Sequence, residues 1–390
     1  MTVRYLNSVA TNSWLIFLRL LFRWKGSVYR YIWCEFLLFC GSYALISLAY
    51  RFVMPDSIRR TFEAYCSFCN YFGEYIPVYF VLGFFVDTIV ERWWDQFLAI
   101  PWPDEIAMSL SAYARGHSER VRLQRRTIMR YINFSFVLAT RDMCSRAGLL
   151  FPTEFSLVSA GIATQEEVLL YFQSAPPHRP PCYMEPCLWA QDIVLQMRTE
   201  GTIDSDRSVE LLCKQIAQFR GGLGTIRCYD LISVPLVYTQ VAILTVYSYT
   251  ISSLFGWQFL DPNKSAMGDK VDLYVPIFGL LRFVFYMGWI KVAESLINPF
   301  GEDQDDFDID AIIERNLQMS YYIVDSMYEQ VPPLSRGVVL EVLEQPEIYR
   351  QNHVAEISRR ASILGNKLFL GSLTNVNINA RKSRLSSILK

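Results

Sequence analysis

Apolar and polar positions divide the chain into four long apolar runs separated by charged blocks. Tyr31 to Met54 has the length to cross a bilayer, with Tyr and Trp near its ends and one awkward charge, Glu35, near its start. Tyr71 to Ile89 holds Pro77 and Gly83 and exits through Glu91-Arg92-Trp93-Trp94. Leu231 to Trp257 and Val271 to Ala293 form the third and fourth runs, joined by a short loop with Asp261-Pro262-Asn263. Upstream, Trp14 to Phe22 is broken by Arg19 and followed by Arg23 and Lys25, the pattern of an amphipathic helix at an interface rather than a cleavable signal peptide. Residues 101–230 change to helical periodicity with many arginines and a Pro-rich break at 175–181. Ile312 to Glu329 reads as one more helix, and beyond Val342 the pattern fades into a polar tail.

This pattern predicts an all-α integral membrane protein with four transmembrane spans and a large helical cytosolic region. The segments are 1–30 (amino-terminal, interfacial), 31–100 (two spans), 101–230 (helical block), 231–293 (two spans), 294–341 (acidic stretch and helix) and 342–390 (tail). Lys and Arg crowd the blocks before the first span and between the second and third, and are sparse in the links at 55–70 and 258–270. The positive-inside rule then puts both termini and the central block in the cytosol of a cell-membrane protein.

Composition agrees with the pattern, at 52% apolar, 15% aromatic and 19% charged. A net charge of −1 leaves no general attraction to nucleic acid. The nine cysteines show no disulfide spacing, and Cys66-x-x-Cys69 lacks the second pair or nearby histidine a structural metal site needs, the histidines being His117, His178 and His353.

Two stretches carry candidate chemistry. In the second run, Ile76, Phe80 and Phe84 recur every four residues, a helical stripe that ordinarily packs against neighbouring spans. The same face continues through Asp87, Glu91 and Asp95, and acids on a lipid-facing stripe are costly, so the face looks into protein or water. An apolar collar followed by a charged vestibule describes a pore-lining helix, and one such helix per chain requires a symmetric ring of subunits. Pro77 and Gly83 give that helix places to bend or rotate. The second stretch, Asn298 to Asp310, packs six carboxylates into thirteen residues directly after the fourth run. Such a cluster is solvated, paired or holding a cation. It lacks the glycine and distant glutamate of an EF-hand loop.

These residues also carry a resemblance. Ile76-Pro77-Val78-Tyr79-Phe80-Val81-Leu82-Gly83-Phe84, Arg92-Trp93-Trp94, Pro101-Trp102-Pro103-Asp104, Ser233-Val234-Pro235-Leu236-Val237-Tyr238-Thr239-Gln240 and Ile297-Asn298-Pro299-Phe300-Gly301-Glu302-Asp303 together resemble the bestrophins, calcium-activated anion channels of animal cells. The resemblance runs from Met1 to about Glu329 and is weakest over 155–230 and the tail. It implies a homo-pentamer in the lipid bilayer around one pore, permeant to chloride and other small anions, with Ile76, Phe80 and Phe84 as its neck. It implies a calcium ion held by the side chains of Asp303 and Asp306 and by the backbone carbonyls of Ala10, Ser295 and Asn298, tying the end of the fourth span to a neighbour's amino-terminal segment. Oxygen donors of this kind suit a hard cation.

Three positions depart from the family pattern: Gln304 stands where an Asp is familiar, Arg207 falls at the lower cytosolic aperture, which is apolar in the family, and Asp87 and Glu91 replace uncharged residues. Rings of these acids oppose anion entry unless neutralised, Arg92 being the candidate. In the tail, Arg359-Arg360-Ala361-Ser362 has the form of a basophilic kinase site in a segment that resembles the family's inhibitory latch, so Ser362 is a candidate phosphosite. The rival readings are a membrane enzyme using the Asp cluster to hold Mg²⁺, which lacks a second facing constellation, and a non-conducting scaffold.

Overall fold

In the computed structural model, residues 16–173, 182–260, 274–303 and 306–333 are described. All regular elements among them are helical. They gather into two compact units, Met1–Leu98 with Leu231–Phe307, and Ala99–Asp230 with Asp308–Lys390.

In the first unit, proline sets the helix boundaries. Pro55, Pro77, Pro235 and Pro276 each stand immediately before a helix, at Asp56–Gly73, Val78–Leu98, Leu236–Gly256 and Ile277–Leu296. Proline lacks an N–H and disfavours the helical conformation in the residue before it, so it starts helices and does not continue them. This divides the second apolar run. Read as one span from Tyr71 to Ile89, it is instead two helices meeting at a bend of 46° between Gly73 and Val78. The polar link at 55–70 is itself helical, burying Glu63, Cys66 and Cys69 on one face. The buried Glu63 carboxylate accepts the Tyr50 hydroxyl proton at 2.7 Å.

Val28–Leu48 continues through a wider π turn at Ala49–Val53. Together Val28–Val53 is long and apolar enough to cross a membrane by itself. Two further spans qualify if each bent pair is counted as one: Asp56–Gly73 with Val78–Leu98, and Leu236–Gly256 with the helix before it. Ile277–Leu296, expected as the fourth span, carries Arg282, Lys291 and Glu294, and its charges are held by partners. Lys291 lies 3.0 Å from Glu35 and 2.9 Å from Glu294, while Arg282 donates to the Tyr249 hydroxyl at 3.0 Å. The Glu35 that looked awkward in the sequence thus has a cation across the helix pair, the usual condition for a charge among apolar helices.

The core of this unit interleaves Ile32 and Phe39, Leu82, Phe85 and Ile89, Val246 and Tyr249, and Phe283, Met287 and Ile290 from the four long helices. Phe39 stacks on Phe283 at 4.6 Å. Glycine allows one close crossing: a Cβ on Gly279 would lie 2.6 Å from the Trp257 ring. Leu38, Leu45, Leu244, Phe278 and Phe285 point outward and exposed, an apolar exterior suited to lipid or to other subunits.

The second unit is built on Glu119–Met143, whose second half is buried almost all round, from Ile128 to Thr140. The arginines of its first half are committed to partners. Arg120 pairs with Glu200, Arg122 and Arg126 with Asp325, and Arg130 with Glu167, while Arg125 donates to the Ala114 and Gly116 carbonyls and lies 3.7 Å over the Tyr328 ring. The basic block is therefore neutralised within this unit by carboxylates and carbonyls from other segments. Asp104–Tyr113 and Ile309–Tyr321 join it, linked to each other by the Arg315–Asp104 ion pair. The expected single helix from Ile312 to Glu329 instead relaxes into a π turn over Tyr322–Ser326.

Candidate functional site

Ile76 lies in the turn before Val78–Leu98, its N–H donating to the Gly73 carbonyl at 3.2 Å, so Pro77 opens that helix rather than kinking its interior. Within the helix, Val78, Leu82, Phe85, Val86, Ile89 and Gln96 form the buried face. Phe80 and Phe84 stand on the opposite face, 58% and 59% exposed, with their rings edge to face at 4.8 Å. Large aromatic side chains facing away from the chain's own core are covered by lipid, by another surface or by further copies of the chain. Gly83 beside them leaves open space, since a Cβ there meets nothing within 4 Å.

Asp87, Glu91 and Asp95 are exposed on the same side. Arg92, the candidate for neutralising them, donates to the Ile232 carbonyl at 2.6 Å. Arg207 is placed in the first turn of Asp206–Leu231, with an 88% exposed side chain 3.8 Å from Glu210.

The acidic stretch begins where Ile277–Leu296 runs out of backbone partners. The last carbonyls of a helix lack intrahelical donors and carry partial negative charge, so the Ser295 carbonyl at this end favours a cation. The following residues fold into a tight turn. Gly301 N–H donates to the Asn298 carbonyl at 3.3 Å, Phe307 N–H to the Pro299 carbonyl at 2.8 Å, and Asp303 N–H to the Asp306 carboxylate at 2.5 Å. Asp306 is only 4% exposed, whereas Asp303 is exposed.

Gly301 is required here for space. A Cβ on it would lie 2.8 Å from an Asp306 carboxylate oxygen and 3.4 Å from the Asn298 carbonyl oxygen. Two oxygens thus converge on the volume a side chain would fill. One is a carboxylate oxygen and one a backbone carbonyl, the donor types a hard cation takes, and the Asn298 side-chain nitrogen lies 3.7 Å from the same volume. Among the described residues no group of three or more His, Cys, Asp and Glu side chains gathers in a metal-holding arrangement. The expected set has two carboxylates and draws its other donors from the backbone. Ala10, Gln304, Asp305 and Ser362 lie outside the described residues. Asp310 belongs to the second unit, where it pairs with Arg146 at 3.3 Å.

The sequence reading missed what anchors the turn. Phe300 and Phe307 are buried among the acids, with rings 5.5 Å apart, and Phe307 packs against Trp93 at 5.3 Å and Phe97 at 5.4 Å. The lower end of the helix that bears Phe80 and Phe84 is therefore in direct aromatic contact with the acidic turn. The available signal was the i, i+4 pair Trp93 and Phe97, together with two phenylalanines inside a run of acids.

These features define an all-helical membrane protein with an unpartnered aromatic stripe on one helix and a packed acidic turn beside that helix's end. The family model described as "Bestrophin, RFP-TM, chloride channel" matches residues 1–326. The chain is 41% identical to bestrophin-2a of Homo sapiens over 365 residues, 94% of this chain and 71% of that protein. Bestrophin-3 and bestrophin-1 of Homo sapiens are 41% and 37% identical, over 87% and 97% of this chain but only 50% and 63% of their own lengths. The chain belongs to the bestrophin family. Among solved structures, a bacterial bestrophin homologue from Klebsiella pneumoniae shares the fold with a TM-score of 0.57 at 17% identity, covering 75% of this chain and 99% of that one.

Proposed function

We propose that the chain is a subunit of a homopentameric, calcium-activated chloride channel in the cell membrane, with four spans and cytosolic termini. The single observation that carries the reading is the orientation of Phe80 and Phe84. They face outward from the protomer, opposite a continuous buried face on the same helix. In a ring of copies such a stripe, with Ile76 above it, forms a narrow apolar collar that excludes ions by dewetting until it widens.

Asp303 and Asp306, with the carbonyls of Ser295, Asn298 and Ala10, would hold the calcium ion. When bound it supplies the positive charge that lets two carboxylates share one turn. Phe307, set between that turn and Trp93 and Phe97, gives the turn a rigid contact with the pore helix. The family membership and the oxygen-lined space at Gly301 support this assignment. The second unit is read as the cytosolic part, with Arg207 near a lower aperture. Because the chain spans half to about seven-tenths of the matched human relatives, gating and assembly are tested on this chain itself.

The decisive experiment records current from the purified chain in liposomes under a chloride gradient. Wild-type protein conducts only with calcium. Combined alanine substitution of Ile76, Phe80 and Phe84 gives current without calcium. If that variant still needs calcium to conduct, the collar is not the gate.

A further inference from the structure

The face of Val78–Leu98 that bears the phenylalanines carries more than a collar. Counting 100° per residue from Phe80, Phe84 lies at about +40°, Asp87 at about −20°, Glu91 at about +20° and Asp95 at about +60°. The buried Leu82, Phe85 and Ile89 lie at about −160°, +140° and 180°. The three acids thus fall in the same narrow sector as the collar, opposite the core. They are exposed, and among the described residues none of the three forms an ion pair within the protomer.

The edge of that sector is already occupied. Thr88, at about +80°, donates to the Phe84 carbonyl at 2.9 Å and lies 3.4 Å from the Tyr238 hydroxyl. Arg92, at about +120°, donates to the Ile232 carbonyl. The nearest cation in sequence is therefore directed to the flank of the helix, while the carboxylates keep the open face.

From Asp87 to Asp95 the helix rises about 12 Å, longer than the screening length of about 8 Å at physiological salt. Three carboxylates per copy over that length give a continuous negative field along the path below the collar. The collar itself bears no charge and cannot cancel it. Ionised groups lining a confined path concentrate ions of opposite sign.

We propose that Asp87, Glu91 and Asp95 set the charge selectivity of this channel: they draw small cations into the segment below the collar and lower its preference for chloride. The proposal rests on the reading of Val78–Leu98 as the pore-lining helix. A vestibule potential of one kT changes the local cation-to-anion ratio by about sevenfold, and protein surfaces reach several kT.

The test compares reversal potentials of wild type and the near-isosteric Asp87→Asn, Glu91→Gln, Asp95→Asn triple variant in a sodium chloride gradient at saturating calcium. The chloride-to-sodium permeability ratio is expected to rise about sevenfold or more in the variant. An equal ratio in the two proteins overturns the proposal. A second measurement needs no variant: the wild-type ratio should climb as salt rises from about 0.01 to about 1 M, where the screening length shrinks from about 30 to 3 Å. A ratio that stays flat across that range overturns it too. If wild type passes no calcium-dependent current, the pore reading falls and this proposal with it, whereas current with an unchanged ratio defeats this proposal alone.

Discussion

Replacing Gly301 with alanine isolates the acidic turn from the rest of the channel. The added methyl would lie 2.8 Å from an Asp306 carboxylate oxygen, closer than carbon and oxygen pack, and 3.4 Å from the Asn298 carbonyl oxygen. Asp306 is buried, and the Asn298 carbonyl is held by the Gly301 N–H, so both oxygens resist displacement. The least disruptive response is rotation of the Asp306 carboxylate away from the Asp303 N–H, losing a hydrogen bond to a charged group worth about 1.5–3 kcal/mol. If the same carboxylate position serves calcium, that loss corresponds to an affinity drop of about 10- to 150-fold. Chloride current measured against cytosolic calcium should therefore show Gly301→Ala half-activated at about tenfold or more higher calcium, with the maximum retained. Gly221→Ala, where a Cβ meets nothing within 4 Å, serves as control and should leave the curve in place. A Gly301→Ala curve that overlies wild type would refute the assignment of this turn as the calcium site.

Other parts of the fold make their own predictions. Lys291→Met leaves Glu35 without its cation in a partly buried position, so the detergent-solubilised protein should lose about 3 kcal/mol of stability and melt earlier by intrinsic fluorescence; adding Glu35→Gln should recover much of the loss. In the second unit, the Arg120 guanidinium, helped by Gln124, holds the Glu200 carboxyl down at about 2, below its ordinary 4.5. A depressed carboxyl stabilises the fold fully above its unfolded value and loses that contribution as pH falls toward 2. Arg120→Ala should accordingly move acid unfolding, followed by circular dichroism, to higher pH by less than about half a unit, since the pair is exposed. A larger shift would mean that Arg120 holds more than Glu200.

The aromatic and acidic stripe was legible because a helix repeats its faces every three to four residues, so Phe80, Phe84, Asp87 and Glu91 declare a common side in the sequence alone. The break above them was harder to read. Tyr71 to Ile89 is apolar apart from Glu74 and Asp87, and hydropathy does not register that Pro77 withholds an N–H. The stretch therefore looked like one span and folds as two helices. Glu35 looked misplaced for the complementary reason: its partner Lys291 is more than 250 residues away, and no local pattern links them. In the second unit the arginines of Glu119–Met143 read as a basic block, but Glu200, Asp325 and Glu167 neutralise them from distant segments.

The helical class, the membrane character, the sided stripe on Val78–Leu98 and the oxygen-rich character of the acidic turn could all be read along the chain. Each of these follows from composition or from periodicity within one segment, where geometry is fixed by bond lengths and backbone hydrogen bonding. Three contacts came from the fold alone: Phe307 meets Trp93 and Phe97, Gly301 clears space between the Asn298 carbonyl and Asp306, and Arg92 reaches Ile232. Those contacts depend on how segments far apart in the chain are brought together to bury apolar surface, and such packing leaves no periodic trace in any one of them.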